Sequence, residues 1–337
     1  MSAVPVIDLS RLDEAEAARA IDAACRETGF YYVAGHGLDA GLVSGMFDVM
    51  QTFFRTPEDF KQRYHIRHSH PHQRGYVPLH EENLGEDASH DFKESFDLGV
   101  DRAPDHPDVV AGKPFAAPNV WPDLGGFRAT VEAYHRAMIE LGDRLVKLTA
   151  LGLGLERGFF DFAMADPVAN LRLLHYPPRP VRVHNSTRPA RGDIVGCGAH
   201  TDYGFLTILA QDGVGGLQIE NNDGTWLAVP PMDGSFVVNL GDLLTRWTAG
   251  AYRARRHRVA GAGAGDRYSI PFFLDPNVDA MVEAVPTCRH LPGADAPAIS
   301  AGAFLQSRFD DTFRYREKAA ANLASAGSTA YVAPQQS

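Results

Sequence analysis

A histidine and an aspartate two positions apart, His200 and Asp202, a further histidine at 257, and the pair Arg267 and Ser269 form the most reactive constellation in this chain. Two imidazoles and one carboxylate make a facial triad for Fe(II), an arrangement that leaves coordination positions open for a co-substrate and O₂. On a strand, side chains i and i+2 point the same way about 6.5–7 Å apart, so His200 and Asp202 on one strand could grip one ion, with His257 as third ligand. Arg267 offers a planar fork of donors to a carboxylate, and Ser269, two residues on and on the same face, adds a hydroxyl.

Each short motif alone is weak, because a chain with 14 histidines repeats such patterns by chance. His106-Pro107-Asp108 is a second His-x-Asp, and Arg67-His68-Ser69 a second Arg-x-Ser. Pro104, Pro107, Pro114 and Pro118 surround the first and argue against a strand interior there. The second precedes both His-x-Asp motifs. A lone strand histidine is more often a hydrogen-bonded core residue, and a lone arginine a structural ion pair. The order of the whole set is what favours ligation and an anion anchor. His65, His68, His70, His72 and His80 also crowd one stretch. With no cysteine partners, helical spacing or strand alternation across all five, they read as a solvated loop rather than a second metal site.

The elements that must position the constellation read as strands. Residues 205–209, 216–219, 235–240 and 268–273 are short aliphatic and aromatic runs, separated by turn residues at 211–213, 221–224 and 261–266. Such a series favours a sandwich or barrel-like jelly roll over a βαβ sheet. Before it, the pattern predicts strands at 4–8, 30–33 and 171–176, and helices at 13–28, 40–55 and 127–153. Pro57 fits the first turn of another helix. Residues 99–124, rich in proline and glycine, read as a long connection, and 300–315 as a C-terminal helix.

The order His-x-Asp, His257-Arg258-Val259, Arg-x-Ser resembles the isopenicillin N synthase-like branch of the Fe(II)/2-oxoglutarate oxygenases. Further similarities are Val4-Pro5-Val6-Ile7-Asp8-Leu9, Gly29-Phe30-Tyr31-Tyr32-Val33 with His36-Gly37, Lys93-Glu94 before Phe96-Asp97, Tyr176-Pro177, Asn239-Leu240-Gly241-Asp242 and Trp247-Thr248. The resemblance implies a mainly β fold with flanking α-helices around a double-stranded β-helix, or jelly roll, at about 168–275. It implies Fe(II) on His200, Asp202 and His257, with 2-oxoglutarate as co-substrate, O₂ as oxidant and stimulation by ascorbate. The far carboxylate of 2-oxoglutarate would meet Arg267, Ser269 and Tyr176. Leu174 stands where the family often has asparagine, so one polar contact near the co-substrate is missing. Arg172, on the same strand face, either meets an anionic substrate or pairs with a surface carboxylate. Tyr76, Phe273, Leu305 and Phe309 are candidates for the substrate wall, although ordinary packing explains Leu305 and Phe309 equally well.

The implied reaction decarboxylates 2-oxoglutarate to succinate and CO₂ and oxidises a small molecule, by default through hydroxylation. Two other readings stay open. One is an oxidase of the isopenicillin N synthase or aminocyclopropane-carboxylate oxidase type, which uses O₂ without 2-oxoglutarate. The other is a non-catalytic metal-binding jelly roll, for which loss of a ligand would be expected; none is lost here.

Composition agrees with a globular protein: 337 residues, 45% hydrophobic and 22% charged. A formal net charge of −10 disfavours nucleic acid as partner. Cys25, Cys197 and Cys288 give an odd count without CxxC spacing, as expected for reduced thiols in the cytoplasm. No leader and no long apolar run occurs, so membrane spanning is not expected. The expected organisation is an N-terminal region, 1–125, packed on an oxygenase core with its C-terminal helix, 126–320, and a flexible tail, 321–337. A monomer or weak homo-oligomer is expected.

Overall fold

A computed structural model describes residues 4–69, 72–82, 91–178, 196–260 and 265–312, with the side chains of the last helix described to residue 308. The strands are β1 Val6–Asp8, β2 Phe30–Ala34, β3 Gly75–Val77, β4 Glu94–Leu98, β5 Val168–Tyr176, β6 Cys197–His200, β7 Leu206–Gln211, β8 Leu217–Glu220, β9 Trp226–Ala228, β10 Ser235–Leu240, β11 His257–Val259, β12 Arg267–Asp275, β13 Met281–Val282 and β14 Ile299–Ser300. The helices are α1 Glu14–Glu27, α2 Ala40–Phe54, α3 Glu58–Gln62, α4 Pro107–Val110, α5 Phe127–Gly152, α6 Asp161–Met164, α7 Asp242–Trp247 and α8 Ala301–Thr312.

Eight strands form one sheet in the order β1-β2-β10-β7-β12-β5-β4-β3, and four form a second, β6-β11-β8-β9. All pairings are antiparallel except β1 with β2. This is the expected jelly roll with flanking helices. Strands from the first 125 residues extend both ends of the large sheet.

Alternation along the strands sorts apolar from functional side chains, because successive residues face opposite sides of a sheet. On β12, Tyr268, Ile270, Phe272 and Leu274 join the main core cluster. Arg267, Ser269, Phe273 and Asp275 therefore share the other face. On β5, Ala169, Leu171 and Leu173 join the same core, leaving Asn170, Arg172, Leu174 and Tyr176 opposite. The helices cover the apolar face. α5 buries Phe127, Val131, Tyr134, Met138, Leu141 and Leu145 at three- and four-residue spacing, and α1 and α2 pack against it. At the start of α1, the Asp13 carboxylate accepts from the Glu16 N–H at 2.8 Å and the Glu16 carboxylate from the Asp13 N–H at 3.1 Å. Such a reciprocal cap is worth about 1 kcal/mol. It explains why that helix begins where it does.

Some expectations need correction. The strand β6 ends at His200, and Asp202 lies beyond it in an isolated bridge to Gly241, so the two ligand candidates do not share one strand. Pro57 is the N-cap of α3 rather than a first-turn residue. The 99–124 connection contains α4, whose N-cap is His106: its ring accepts from the Asp108 N–H. The second His-x-Asp is thus a helix cap. In the second Arg-x-Ser, the Ser69 hydroxyl donates to backbone carbonyls of its own turn, including Ile66 at 2.9 Å. The tail at 321–337, His70 and the side chain of Phe309 lie outside the described residues.

Candidate metal centre and pocket

His200 and His257 are cross-strand partners on β6 and β11, with ring centroids 4.4 Å apart. The Asp202 Oδ1 lies 3.8 Å from His200 Nε2 and 3.7 Å from His257 Nε2. One ligand atom from each residue falls within 4.8 Å of the others, and among the described residues no other His, Cys, Asp and Glu group meets that test. The histidines at 65, 68, 72 and 80 do not form one. His65 instead faces Glu81 at 3.1 Å, and the His80 ring packs on Phe92 at 5.4 Å.

The remaining atoms of the triad are already occupied. His200 Nδ1 is 2.7 Å from the Gly198 carbonyl and His257 Nδ1 is 3.1 Å from the Arg255 carbonyl. A carbonyl only accepts, so each ring carries its proton on Nδ1 and presents the Nε2 lone pair inward. Thr207 and Asn239, cross-strand partners on β7 and β10, both donate to Asp202 Oδ2 at 2.6 Å. Oδ1 is left facing the imidazoles. Burial pushes the His257 imidazole down to about 4 and so holds it neutral, the form that ligates. Burial raises the Asp202 carboxyl; positive charge on the histidines, when they are protonated, and the bonds from Thr207 and Asn239 outweigh it, leaving it below the usual range. Two neutral nitrogens and one carboxylate oxygen, each without another partner among the described residues, fit a ferrous ion.

Tight backbone packing fixes the chain around Asp202. A Cβ on Gly241 would lie 2.1 Å from the Gly204 carbonyl oxygen, and one on Gly204 would lie 1.4 Å from Asp275 Oδ1. Larger residues at either site would push the bridge apart.

Arg267, 1% exposed, sits opposite Tyr176 in the β12–β5 register, its guanidinium 4.7 Å from that ring's centre. It donates to the Gly215 carbonyl, to Ser269 Oγ at 3.1 Å and to Gln211 Oε1 at 3.3 Å. Among the described residues no carboxylate pairs with it. Burial pushes the Tyr176 phenol up to about 12, so its hydroxyl stays a neutral donor. Leu174 lies opposite Ser269 in a small apolar cluster with Tyr176, Cys197 and Val259.

A cavity of about 80 Å³ opens beside the triad and includes His200 and Asp202 in its lining. Phe273 and Leu305 are in its wall, as expected; so is Arg172. Tyr76 is not. It is 1% exposed, packs edge-to-face with Phe53 and donates to Glu94 Oε2 at 2.5 Å, which makes it a core residue. Leu174 does not line this cavity either. Among the wall residues that sequence reasoning missed are Gln73, Glu82, Asp97, Asn170, Tyr203 and Asp275. Strand alternation could have found two of them, since Asn170 and Asp275 share faces with residues already singled out.

Arg172 pairs across the sheet with Asp97 in the β4–β5 register. It donates to both Asp97 oxygens at 2.8 and 2.6 Å and to Glu82 Oε1 at 2.7 Å. Its partners are buried carboxylates, not surface ones. Burial raises Glu82, but Arg172 and Lys93 outweigh it and bring the carboxyl down to about 2. Burial also pushes the Asp275 carboxyl up to about 7; the bond from the Phe205 N–H opposes this and the Asp202 charge adds to it.

A two-histidine, one-carboxylate centre inside a jelly roll, with a buried arginine on the same sheet that no carboxylate among the described residues pairs with, is the arrangement of the non-haem Fe(II) oxygenases. Residues 4–124 match the family described as non-haem dioxygenase in morphine synthesis N-terminal, and residues 167–276 match the 2OG-Fe(II) oxygenase superfamily. The chain belongs to that superfamily, in its isopenicillin N synthase-like branch, and is an Fe(II)- and 2-oxoglutarate-dependent dioxygenase acting on a small molecule. A 2-oxoglutarate-dependent dioxygenase of Didymella fabae is 35% identical over 298 residues, spanning 86% of this chain and 88% of the relative. A solved structure of a putative 2OG-Fe(II) oxygenase family protein from Caulobacter crescentus is 30% identical, covers 92% of this chain and 100% of that one, and superposes with a TM-score of 0.80. A full-length Neurospora crassa protein, solved in complex with alpha-KG and thymine, is 29% identical with a TM-score of 0.78, over 90% of this chain and 96% of that one. No helix among the described residues is long and apolar enough to cross a membrane.

Proposed function

We propose that His200, Asp202 and His257 hold the ferrous ion, that Arg267, Ser269 and Tyr176 hold the far carboxylate of 2-oxoglutarate, and that the cavity lined by Phe273, Leu305 and Arg172 receives the small molecule to be hydroxylated. The convergence of two Nε2 atoms and one Oδ1, each without another hydrogen-bonding partner, carries the reading. Iron bound there supplies O₂ activation coupled to decarboxylation of 2-oxoglutarate to succinate and CO₂.

The chain's own residues do the positioning. The carbonyls of Gly198 and Arg255 fix the imidazole tautomers. Thr207 and Asn239 hold the carboxylate so that a single oxygen faces the ion. Arg267 places a buried positive charge where an anion can neutralise it, with the Ser269 hydroxyl alongside. Phe273 and Leu305 give the cavity next to the triad an apolar wall. We further read the protein as cytoplasmic and as a monomer or weak homo-oligomer. Three buried cysteines without a disulfide support the first point.

Asp202→Ala should cut 2-oxoglutarate-dependent succinate formation by more than about a hundredfold, since loss of mere outer-sphere partners already costs 10–100-fold. Retained turnover and retained Fe(II) binding in that variant would overturn the ligand assignment. Titrating 2-oxoglutarate into the anaerobic Fe(II) protein separates this reading from the oxidase reading, which expects no metal-to-ligand charge-transfer band.

A further inference from the structure

The strand ends that carry the proposed co-substrate anchor are tied together from the far side of the sheet. Tyr176 closes β5, Arg267 opens β12, and the two are cross-strand partners. One step along the ladder, His175 is the partner of Tyr268. These two turn to the helix face, where their rings stack with centroids 4.7 Å apart and planes at 12°. Glu94 on β4 is the partner of His175 on its other side.

The His175 ring joins β4, β5 and the start of β12. Its Nδ1 lies 2.7 Å from Glu94 Oε1, and its Nε2 lies 2.7 Å from an oxygen of Asp266, the residue before Arg267. An ionised carboxylate only accepts, so the ring that satisfies both is the one with a proton on each nitrogen. Glu94 is fixed in turn: its Oε2 accepts from Lys61 Nζ at 2.6 Å and from the Tyr76 hydroxyl at 2.5 Å. His175 and Glu94 are buried, whereas Asp266 is exposed. The bridge therefore runs from a fixed interior carboxylate to the surface residue that leads into Arg267.

The sheet does not need this bridge to form. The β12–β5 ladder extends to Asp275, and the Asp212 carboxylate separately accepts from the Tyr268 N–H at 2.5 Å. What the bridge adds is a side-chain tie on His175 and Asp266, each one residue from an anchor group. Neighbours along a strand point to opposite faces, so holding this pair on the helix face sets how Tyr176 and Arg267 are aimed on the other. We propose, resting on the anchor assigned above, that His175 is a positioning residue for 2-oxoglutarate binding: through Glu94 and Asp266 it fixes the strand ends from which Tyr176 and Arg267 reach the far carboxylate.

Titrating 2-oxoglutarate into the anaerobic Fe(II) protein and following the charge-transfer band tests this. His175→Phe keeps a ring between Phe54 and Tyr268 and removes both hydrogen bonds; Asp266→Ala removes one. Each should raise the 2-oxoglutarate Kd about five- to tenfold, the worth of one hydrogen bond, and should raise its KM with a much smaller change in kcat. Asp266→Asn, whose amide oxygen still accepts from Nε2, should lie closer to wild type. Because the two substitutions remove a shared contact, the double variant should bind no more weakly than His175→Phe alone. An unchanged Kd in both single variants, even with a lowered melting temperature, would overturn the proposal and leave the bridge a matter of stability; so would full additivity in the double variant. If His175→Phe does not fold, the two variants at the exposed Asp266 decide. Arg267→Leu separates the two readings: binding like wild type would show the anchor itself to be misassigned, whereas lost binding there with unchanged binding in the His175 and Asp266 variants would remove the positioning role alone.

Discussion

Arg172 and Arg267 stand on neighbouring strands of the same sheet, both turned away from the helices, yet they are treated in opposite ways. Arg172 is bound by Asp97 and Glu82 through three hydrogen bonds of 2.6–2.8 Å. Arg267 is buried more deeply and, among the described residues, meets a backbone carbonyl, a serine, a glutamine and an aromatic face. A buried charge is costly unless it is paired. The first arginine is neutralised within the folded chain, whereas the second has no carboxylate among the described residues. On the proposed reading, that difference leaves Arg267 to take the co-substrate carboxylate while Arg172, in the cavity wall, is already paired.

The largest effect that could break this contrast is on stability. Arg172→Leu strands Glu82 and Asp97 in the interior and should cost about 3–5 kcal/mol in urea denaturation. Arg267→Leu breaks no ion pair and should cost under about 2 kcal/mol. Equal losses in the two variants would end the distinction.

A ligand-dependent effect comes next. For the anaerobic Fe(II) protein, 2-oxoglutarate at a hundred times its Kd should stabilise the wild type by about 2.7 kcal/mol. Arg267→Leu should lose most of this shift at the same concentration. An undiminished rise in melting temperature in that variant would show that the anion is held elsewhere.

The smallest effect concerns the hydroxyl beside the guanidinium. Ser269→Ala removes a hydrogen bond to a charged group, worth about 1.5 kcal/mol, and should raise the 2-oxoglutarate KM about tenfold. No change in KM would remove Ser269 from the anchor and leave Arg267 to act with Tyr176.

The jelly roll could be read ahead of the structure because its strands alternate and its turns carry glycine and asparagine. His200, Asp202, His257, Arg267 and Ser269 could be read because their order along the chain is restrictive even though each motif is common. The structure then removed Tyr76 to the aromatic core and Leu174 to a cluster away from the cavity. It also exposed His106 as a helix cap, a role that the local Pro-Asp sequence had disguised as a metal motif.

Local chemistry travels with the sequence: periodicity of two, capping residues and ordered ligand types are properties of neighbouring positions. Pairing is different, because partners come from distant segments. Whether Arg172 would be free or neutralised depended on β4 lying against β5 and on Glu82 arriving from a separate loop. Burial and hydrogen-bond satisfaction are sums over the whole fold, and only the assembled molecule could decide them.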